Sequence, residues 1–379
     1  MDSGAWTVEQ AIAWLDTELP NILACARAAR ELELHRYGMD LAGIVHRRLI
    51  TRHQLGEAEL LHQMALQSAE DLGDRAATAR AHRDLGRVRR HQHDYPEAAH
   101  HFDRALSLAA PEGLTTVQVD AHLELAAIVR HGASSVDPDE HFQRALRLAQ
   151  QAGDDLGQLE YHSEIAAVRL LSDGDYRSAA HHFDQALTLA RRLGHRGREA
   201  GALIGRGLAD AQLGRPSAAI DEFRRAVVLS RREGIPVGEL AGLTNLGHAV
   251  RRGGDPSAAL VAYRDVLMIA QRTGDLNWQY EAHQGMGRAY ADLGDGRSAL
   301  DHHTHAQLLA EHQRMRVDLA RAEDGLGDAH AILGDRAKAR RHWQTALTLL
   351  TELGAEHTDD PETHREMITT KLTSEPTRP

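Results

Sequence analysis

An aromatic or imidazole side chain returns along this chain at a fixed interval: His62, Phe102, Phe142, Phe183, Phe223, Tyr263, His303 and Trp343, 40 residues apart with one step of 41. All four phenylalanines stand in this ladder. Three residues later a second ladder runs Ala65, Ala105, Ala145, Ala186, Ala226, Val266, Ala306 and Ala346. Sixteen residues before each aromatic comes a small residue, Gly86, Ala126, Ala167, Gly207, Gly247, Gly287 or Gly327, with His46 the exception. Eight copies of one supersecondary unit must therefore stack, because a unit of this length cannot bury its own apolar face. A compact core of 379 residues is the poorer alternative. Aromatics make up only 4% of the chain and β-branched residues are sparse, a composition of helix formers.

Each copy reads as two helices. Small and aromatic residues at i, i+4 and i+7, as in Ala98, Phe102 and Ala105, give the second helix one apolar face. In the first helix, Leu85, Gly86 and Val88, or Leu246, Gly247 and Val250, suit a backbone that approaches its neighbour at the glycine. Glycines at 73, 113, 153, 194, 234, 274 and 354, interrupted by Arg314, mark helix C-caps between pairs. Pro96, Pro216 and Pro256 sit where a first turn tolerates a missing amide. In the third copy Pro138 replaces the usual small residue, with Asp137 as N-cap and Glu140 three residues on. That helix should start late, with an irregularity or hinge near 131–140. Residues 1–38 are expected to form an N-terminal connector, its 7–33 a helix pair broken near Pro20; 39–358 the eight repeats; 359–372 a capping helix entered at Asp360 and Pro361; and 373–379 a disordered tail.

The Leu-Gly of the first helix, the Ala, aromatic, Ala spacing of the second and the turn positions resemble the tetratricopeptide repeat family, over roughly residues 39–355. The 40-residue period is similar to the long-helix variety of kinesin light chains and bacterial regulators. The resemblance implies an all-α fold, a right-handed superhelical α-solenoid of about eight helix pairs whose first helices line the concave side. A second resemblance lies in AIAWLDTELPNILACARAA at 11–29, which looks like the connector before the repeats of actinobacterial SARP-type antibiotic regulators, members of the STAND class of signalling NTPases. There the repeats would be the sensor or effector arm. Neither a DNA-binding nor a nucleotide-binding domain is in this sequence.

Little catalytic chemistry is visible. No glycine-rich stretch precedes Lys-Ser or Lys-Thr, and no GxSxG, CxxC or HExxH occurs, so the expectation is no enzyme, no cofactor and no metal. The lone Cys25 forms no internal disulfide, and neither a secretory signal nor a membrane span is read, which places the expected protein in the cytoplasm. A formal charge of −11 argues against direct nucleic-acid contact. Histidines number 26. His101, His141, His182, His302 and His342 share one position before the aromatic, where they are expected to face solvent on the convex side. Stacked copies would hold them about 8–10 Å apart, too far to share one ion. His82, His122 and His283 form another set, early in first helices, expected as packed core histidines.

The groove is the expected working surface. Arg80, Arg83, Arg87 and Arg90 lie at i, i+3, i+7 and i+10, one stripe along a first helix, with Arg47 before and Arg130 and His131 after at corresponding sites. Such a stripe either pairs internally, with Asp84, Asp120 and Glu124 the candidates, or holds an anion. Further along come Asn245, His248, Arg251, Arg252, Gln284 and Arg288. Asn245 resembles the asparagine with which peptide-clamping members of the family hold a bound main chain, although the companion lysines of that clamp are missing. Asp324 and Asp328 reverse the sign, so a ligand with a cationic end would fit there. The leading expectation is a non-enzymatic sensor module of a transcriptional regulator that binds a protein segment or an anionic small effector. A freestanding scaffold or signalling-peptide receptor is the alternative, an enzyme with a pocket in the solenoid the third, and a homodimer is compatible with each.

Overall fold

The computed structural model describes residues 8–51, 54–129, 137–354 and 363–373. Among them the regular structure is helical, without a strand, in eighteen α-helices. A long helix α1 (Val8–Glu31) precedes eight pairs: α2 (His35–Thr51) with α3 (Leu55–Asp71), α4 (Arg75–His91) with α5 (Tyr95–Ala109), α6 (Thr115–Ile128) with α7 (Pro138–Gln151), and α8 (Asp155–Leu171) with α9 (Tyr176–Arg192) are the first four. The others are α10 (Arg196–Gln212) with α11 (Pro216–Glu233), α12 (Pro236–Arg252) with α13 (Pro256–Thr273), α14 (Leu276–Asp292) with α15 (Gly296–Gln313), and α16 (Arg316–Ile332) with α17 (Arg336–Glu352). A short helix α18 (Arg365–Thr373) follows. The chain divides into two compact units, residues 1–168 and 169–379.

Seven helices, first and second alike, are entered at an aspartate, as their sequences require. Asp74, Asp94, Asp175, Asp255, Asp275, Asp295 and Asp335 accept a hydrogen bond from a backbone N–H in the first turn of the following helix. The residue that ends each pair turns left-handed, at Gly274 with φ 69° and also at Arg314 with φ 58°, where the ladder lacks glycine. Asp137 caps α7, with Pro138 in its first turn, but its carboxylate accepts from Asp139 N rather than from Glu140 N, so the reciprocal capping box is not formed. The expected irregularity at 131–140 falls largely on residues 131–136, outside those described.

Two expectations change. Residues 8–31 form one helix through Pro20, not a pair broken there. A proline inside a helix costs about 3 kcal/mol, and apolar burial on both sides of it, at Leu19, Ala26 and Ala29, offsets that cost. The capping helix begins at Arg365 rather than at Asp360, which with Pro361 lies outside the described residues.

The period has a packing cause. Tyr263 of α13 is fully buried between two glycines, Gly247 of its own first helix and Gly285 of the next. A methyl group at Gly247 would stand 2.6 Å from the ring, and one at Gly285 only 2.4 Å. The imidazole of His303 fills the same slot between Gly287 and Gly325. At Tyr263 and His303 the ring is thus the wedge that joins one helix pair to the next, with a bare backbone on each side to leave room for it.

Candidate binding groove

First helices of neighbouring pairs touch: α4 meets α6 in the N-terminal unit, and α10 meets α12, α12 meets α14 and α14 meets α16 in the C-terminal one. Among the described residues no two second helices of neighbouring pairs come as close. In each unit the first helices therefore form the inner face. The 40-residue register puts Arg83, Gln284 and Asp324 at one position on that face and Arg87, His248, Arg288 and Asp328 at another.

In the N-terminal unit the arginine stripe is an ionic network. Arg83 Nε donates to Asp84 Oδ1 at 2.8 Å, and its Nη1 to Asp120 Oδ2 at 3.1 Å. Arg87 reaches Glu124 Oε1 at 2.8 Å and Asp120 Oδ2 at 3.2 Å, while Arg90 Nε lies 2.8 Å from Glu124 Oε2. Three guanidinium groups face three carboxylates, all at most about a third exposed. Burial works against the charge on Arg87, yet Asp120, Glu124 and Asp84 raise its pKa further. Burial raises Asp120 despite both arginines, whereas Arg83 holds Asp84 below the usual carboxylate range against its own burial. Arg80 alone of the four is exposed, and no ion pair of it is found among the described residues. The side chain of Arg47, like the whole of Arg130 and His131, lies outside the described residues.

In the C-terminal unit the inner face is polar and closely held. Asn245 Nδ2 donates to Ala241 O of its own helix at 2.9 Å. The imidazole of His248 lies 3.2 Å from the Tyr263 hydroxyl. Gln284, 1% exposed, donates to Arg321 O at 2.9 Å and meets the wedge His303 at 3.0 Å. Arg321 forks onto Glu281 at 2.8 and 3.1 Å and lies over the Tyr280 ring, 5.4 Å from its centre. Arg251 reaches Asp292 at 2.8 Å.

At the end of this face the chain meets itself. Lys371 Nζ of α18 donates to both oxygens of Asp324, at 2.8 and 2.9 Å, and to Asp328 Oδ2 at 2.8 Å. Arg288 Nη2 donates to Thr363 Oγ1 at 2.6 Å. Burial, and then the Asp328 charge, push Asp324 up to about 6 even with the ammonium beside it. The two carboxylates expected to meet a cationic ligand are occupied by the chain's own ammonium.

The histidines also depart from expectation. His101, His141 and His302 do not face solvent; they turn inward onto the second set. His82 and His101 bring their Nδ1 atoms to 2.9 Å, His122 and His141 to 3.0 Å, and His283 and His302 to 3.0 Å. His342 instead meets Glu323 Oε2 at 2.7 Å. In each imidazole pair one ring donates through Nδ1–H and the other accepts, so the accepting ring must be neutral and at most the donating ring can be an imidazolium. Burial, then the partner imidazole, lower His82, His122 and His283 to about 4. Among the described residues no group of three or more His, Cys, Asp or Glu is placed to hold a metal ion. Away from the inner face, a cavity of about 500 Å³ is lined by Ile220, Val227, Leu243, Leu246 and Val261, with Arg231 and Asp265 at its rim. Those two form an ion pair at 3.5 Å, Arg224 and Asp255 also line the cavity, and its lining has no serine, threonine, cysteine, histidine or lysine. No described helix is long and apolar enough to cross a membrane.

Sequence reasoning brought together Arg83, Arg87 and Arg90 and named their three carboxylates. It missed Lys371, Thr363, Glu281 and Arg321, and it missed the pairing of the two histidine sets. A signal existed for the last: the partners are always 19 residues apart, at 82 and 101, 122 and 141, 283 and 302.

No family model matches the chain, and no curated protein matches its sequence. Solved structures do match in fold. A STAND protein with a tetratricopeptide repeat sensor from Pyrococcus horikoshii superposes with a TM-score of 0.66 at 12% identity, over 93% of this chain and 55% of that one. This chain thus spans about half the length of that protein. A Rap protein complexed with Competence and Sporulation Factor gives 0.54 at 13% identity, over 88% of this chain and 96% of that one. Aspartyl phosphate phosphatase F from Bacillus subtilis gives 0.55 at 12%, over 86% and 91%. The fold is accordingly all-α and of the tetratricopeptide repeat kind, built from consecutive packed helix pairs.

Proposed function

We propose that this chain is a non-catalytic sensor module that binds a protein or peptide segment on the inner face of its first helices. One observation carries the reading: side chains that packing would make apolar are polar there. Thr244, Gln284, Arg288, Arg321 and Asp324 are all buried along this face, and a buried polar group costs free energy unless something satisfies it. The second helices bury alanine and aromatics at their corresponding positions instead. The polarity thus serves recognition.

The sensor arm of a STAND-type transcriptional regulator, of the SARP-like antibiotic kind, fits best, because a likeness that takes in 93% of this chain and 55% of a longer protein is what an arm would show. Binding would bias the attached domains through a change in the arrangement of helix pairs. The freestanding peptide receptor is supported by the other likeness, to the Rap protein complexed with Competence and Sporulation Factor, matched over 96% of its length. Arg80, His248, Asn245 and Arg288 are the residues proposed for contact, with Arg47 and Arg130. The network of Arg83, Arg87 and Arg90 would set the geometry of the face, and a peptide carboxylate or an anionic effector would address the exposed Arg80. A phosphatase is among the structural likenesses, but here no nucleophile–base pair lines the cavity.

Affinity capture from the source cells tests the binding reading. The full chain carrying Arg80→Glu and His248→Ala should lose a partner that the outward-facing variant Val228→Asp and Val261→Asp retains. Equal loss from both, or from neither, would overturn the assignment to the inner face. Sequencing of the uninterrupted parent gene decides between arm and receptor: an upstream nucleotide-binding domain is expected for the arm.

A further inference from the structure

The C-terminal segment 363–373 does more than close the last helix pair. A cap needs contacts to α16 and α17, and it has them: Ile368 is fully buried with Ala320, Ala346 and Leu350, and Arg340 donates to Leu372 O at 3.0 Å. Two further contacts exceed that need. Thr363, with no exposed surface, accepts from Arg288, which belongs to α14, one first helix beyond the pair being capped. Lys371 then delivers its ammonium to Asp324 and Asp328 on the inner face of α16. The two charged positions that end the inner face, one cationic and one anionic, are both taken by one short segment, eight residues apart in sequence.

We infer that the segment from Thr363 to Thr373 is an intramolecular ligand of the groove, and that the site it fills accepts a helical peptide carrying a basic residue eight positions after a hydrogen-bond acceptor. The inference rests on the inner face being a binding surface, and it names the chemistry of what binds at its C-terminal end. The segment has the form of a ligand: nine helical residues, with few fully buried side chains, Thr363 and Ile368, and specificity carried by Thr363 and Lys371. Lysine is rare in this chain, which has only Lys338 and Lys371 against many arginines. A lysine ammonium is a compact charge that three carboxylate oxygens can surround, where the planar fork of arginine would not fit as closely. An external segment must displace the internal one, so the groove is closed to weak ligands and open to those that make the same contacts better.

The test uses the full chain and a fluorescein-labelled synthetic peptide of residues 359–376. A chain carrying Thr363→Val and Lys371→Glu releases its own segment and keeps Arg288, Asp324 and Asp328. It should bind the peptide at least tenfold more tightly than the native chain does, and the Lys371→Glu peptide should bind neither chain. Amine labelling supplies a second reading, because Lys338 and Lys371 are the only side-chain amines: Lys371 should react several-fold more slowly than the exposed Lys338, and saturating peptide should abolish that protection. Equal affinity of the two chains for the peptide overturns the inference. Absence of binding to the released chain, with a lowered Tm, also overturns it and makes the segment a permanent cap. None of these outcomes depends on the external partner, so a failed partner capture and a failed peptide experiment remain separate results.

Discussion

A glycine-to-alanine exchange inside a helix ordinarily stabilises it by about 0.5–1 kcal/mol. At Gly285 the sign should reverse. The added Cβ would stand 2.4 Å from Tyr263 Cε1 and 2.6 Å from Cζ, where carbon atoms rest at about 3.5–4.0 Å. The ring or helix α14 must therefore yield by more than 1 Å, an order set by those two separations. The ring has no retreat, because Gly247 bounds it on the opposite side with the same closeness. Overpacking of this kind costs about 1–3 kcal/mol, so Gly285→Ala should lose about 1–2 kcal/mol net of the helix gain. Gly201 in α10 is the internal control: it is exposed, with nothing within 4 Å of the position of a Cβ, and Gly201→Ala should gain up to about 1 kcal/mol. Urea unfolding followed by far-ultraviolet circular dichroism, with midpoints compared at a shared m-value, separates the two. Tyr263→Leu in the Gly285→Ala background should cost less than in the native chain, because it relieves the clash. A Gly285→Ala chain as stable as the native one would refute the glycine-wedge account of the period.

Three further outcomes follow from the packing and charges. His82, His122 and His283 have folded pKa values of about 4 against an ordinary 6.5, so the unfolded chain binds the extra protons; their contribution is complete above pH 6.5 and is lost as the pH falls towards 4. Melting temperatures should drop steeply across that window, and a chain with all three changed to glutamine should show a flatter profile; identical profiles would dismiss the imidazole pairs. Phe102→Ala should cost about 3–5 kcal/mol, read as a lowered urea midpoint, because Phe102 is fully buried against Gly86. Asp120→Ala leaves Arg83 and Arg87 under-neutralised and should cost about 2 kcal/mol, below the figure for a fully buried pair because these guanidinium groups keep some solvent contact. Added salt should recover part of that loss by screening.

Architecture was legible because packing writes itself at a fixed interval. A wedge residue such as Phe223 needs a small residue 16 positions earlier, glycine or alanine, so Gly207 and Phe223 repeat together and reveal the period without knowledge of the contact. The ionic network was legible for the same reason: Asp120 and Glu124 follow Arg83 and Arg87 by 37 residues each, an offset close to one repeat. The histidines were misread because one position was considered at a time. On its own, His101 looks like a surface residue beside the exposed His100, and only the 19-residue offset to His82 shows that it faces a first helix. Pro20 was misread because local propensity was set against burial that a single helix cannot display.

Lys371 escaped for a different reason, and the reason bears on function. It lies 47 residues from Asp324 and 43 from Asp328, outside the offsets of 37 to 41 residues that join successive first helices at Arg83–Asp120, Gln284–Arg321, Glu281–Arg321 and Arg251–Asp292. Contacts that hold the repeats together must keep the 40-residue register, since each copy meets the next in one geometry. A contact that leaves the register is released from it: neither Asp324 nor Lys371 is needed to seat a wedge residue, and the Ile368 cluster already covers the apolar end of α16 and α17. Two acids and a buried arginine were nonetheless placed where the terminal segment meets the inner face, and burying Asp324 raises its pKa to about 6, a standing cost in any state where it is charged. An apolar residue in place of Asp324 would close the array without that cost, whereas Asp328 also accepts from the Nε1–H of the wedge residue Trp343 at 3.0 Å. Retaining Asp324 makes sense where the occupant has to be recognised and exchanged, which is the property a sensor needs at the point where its own chain and its ligand compete.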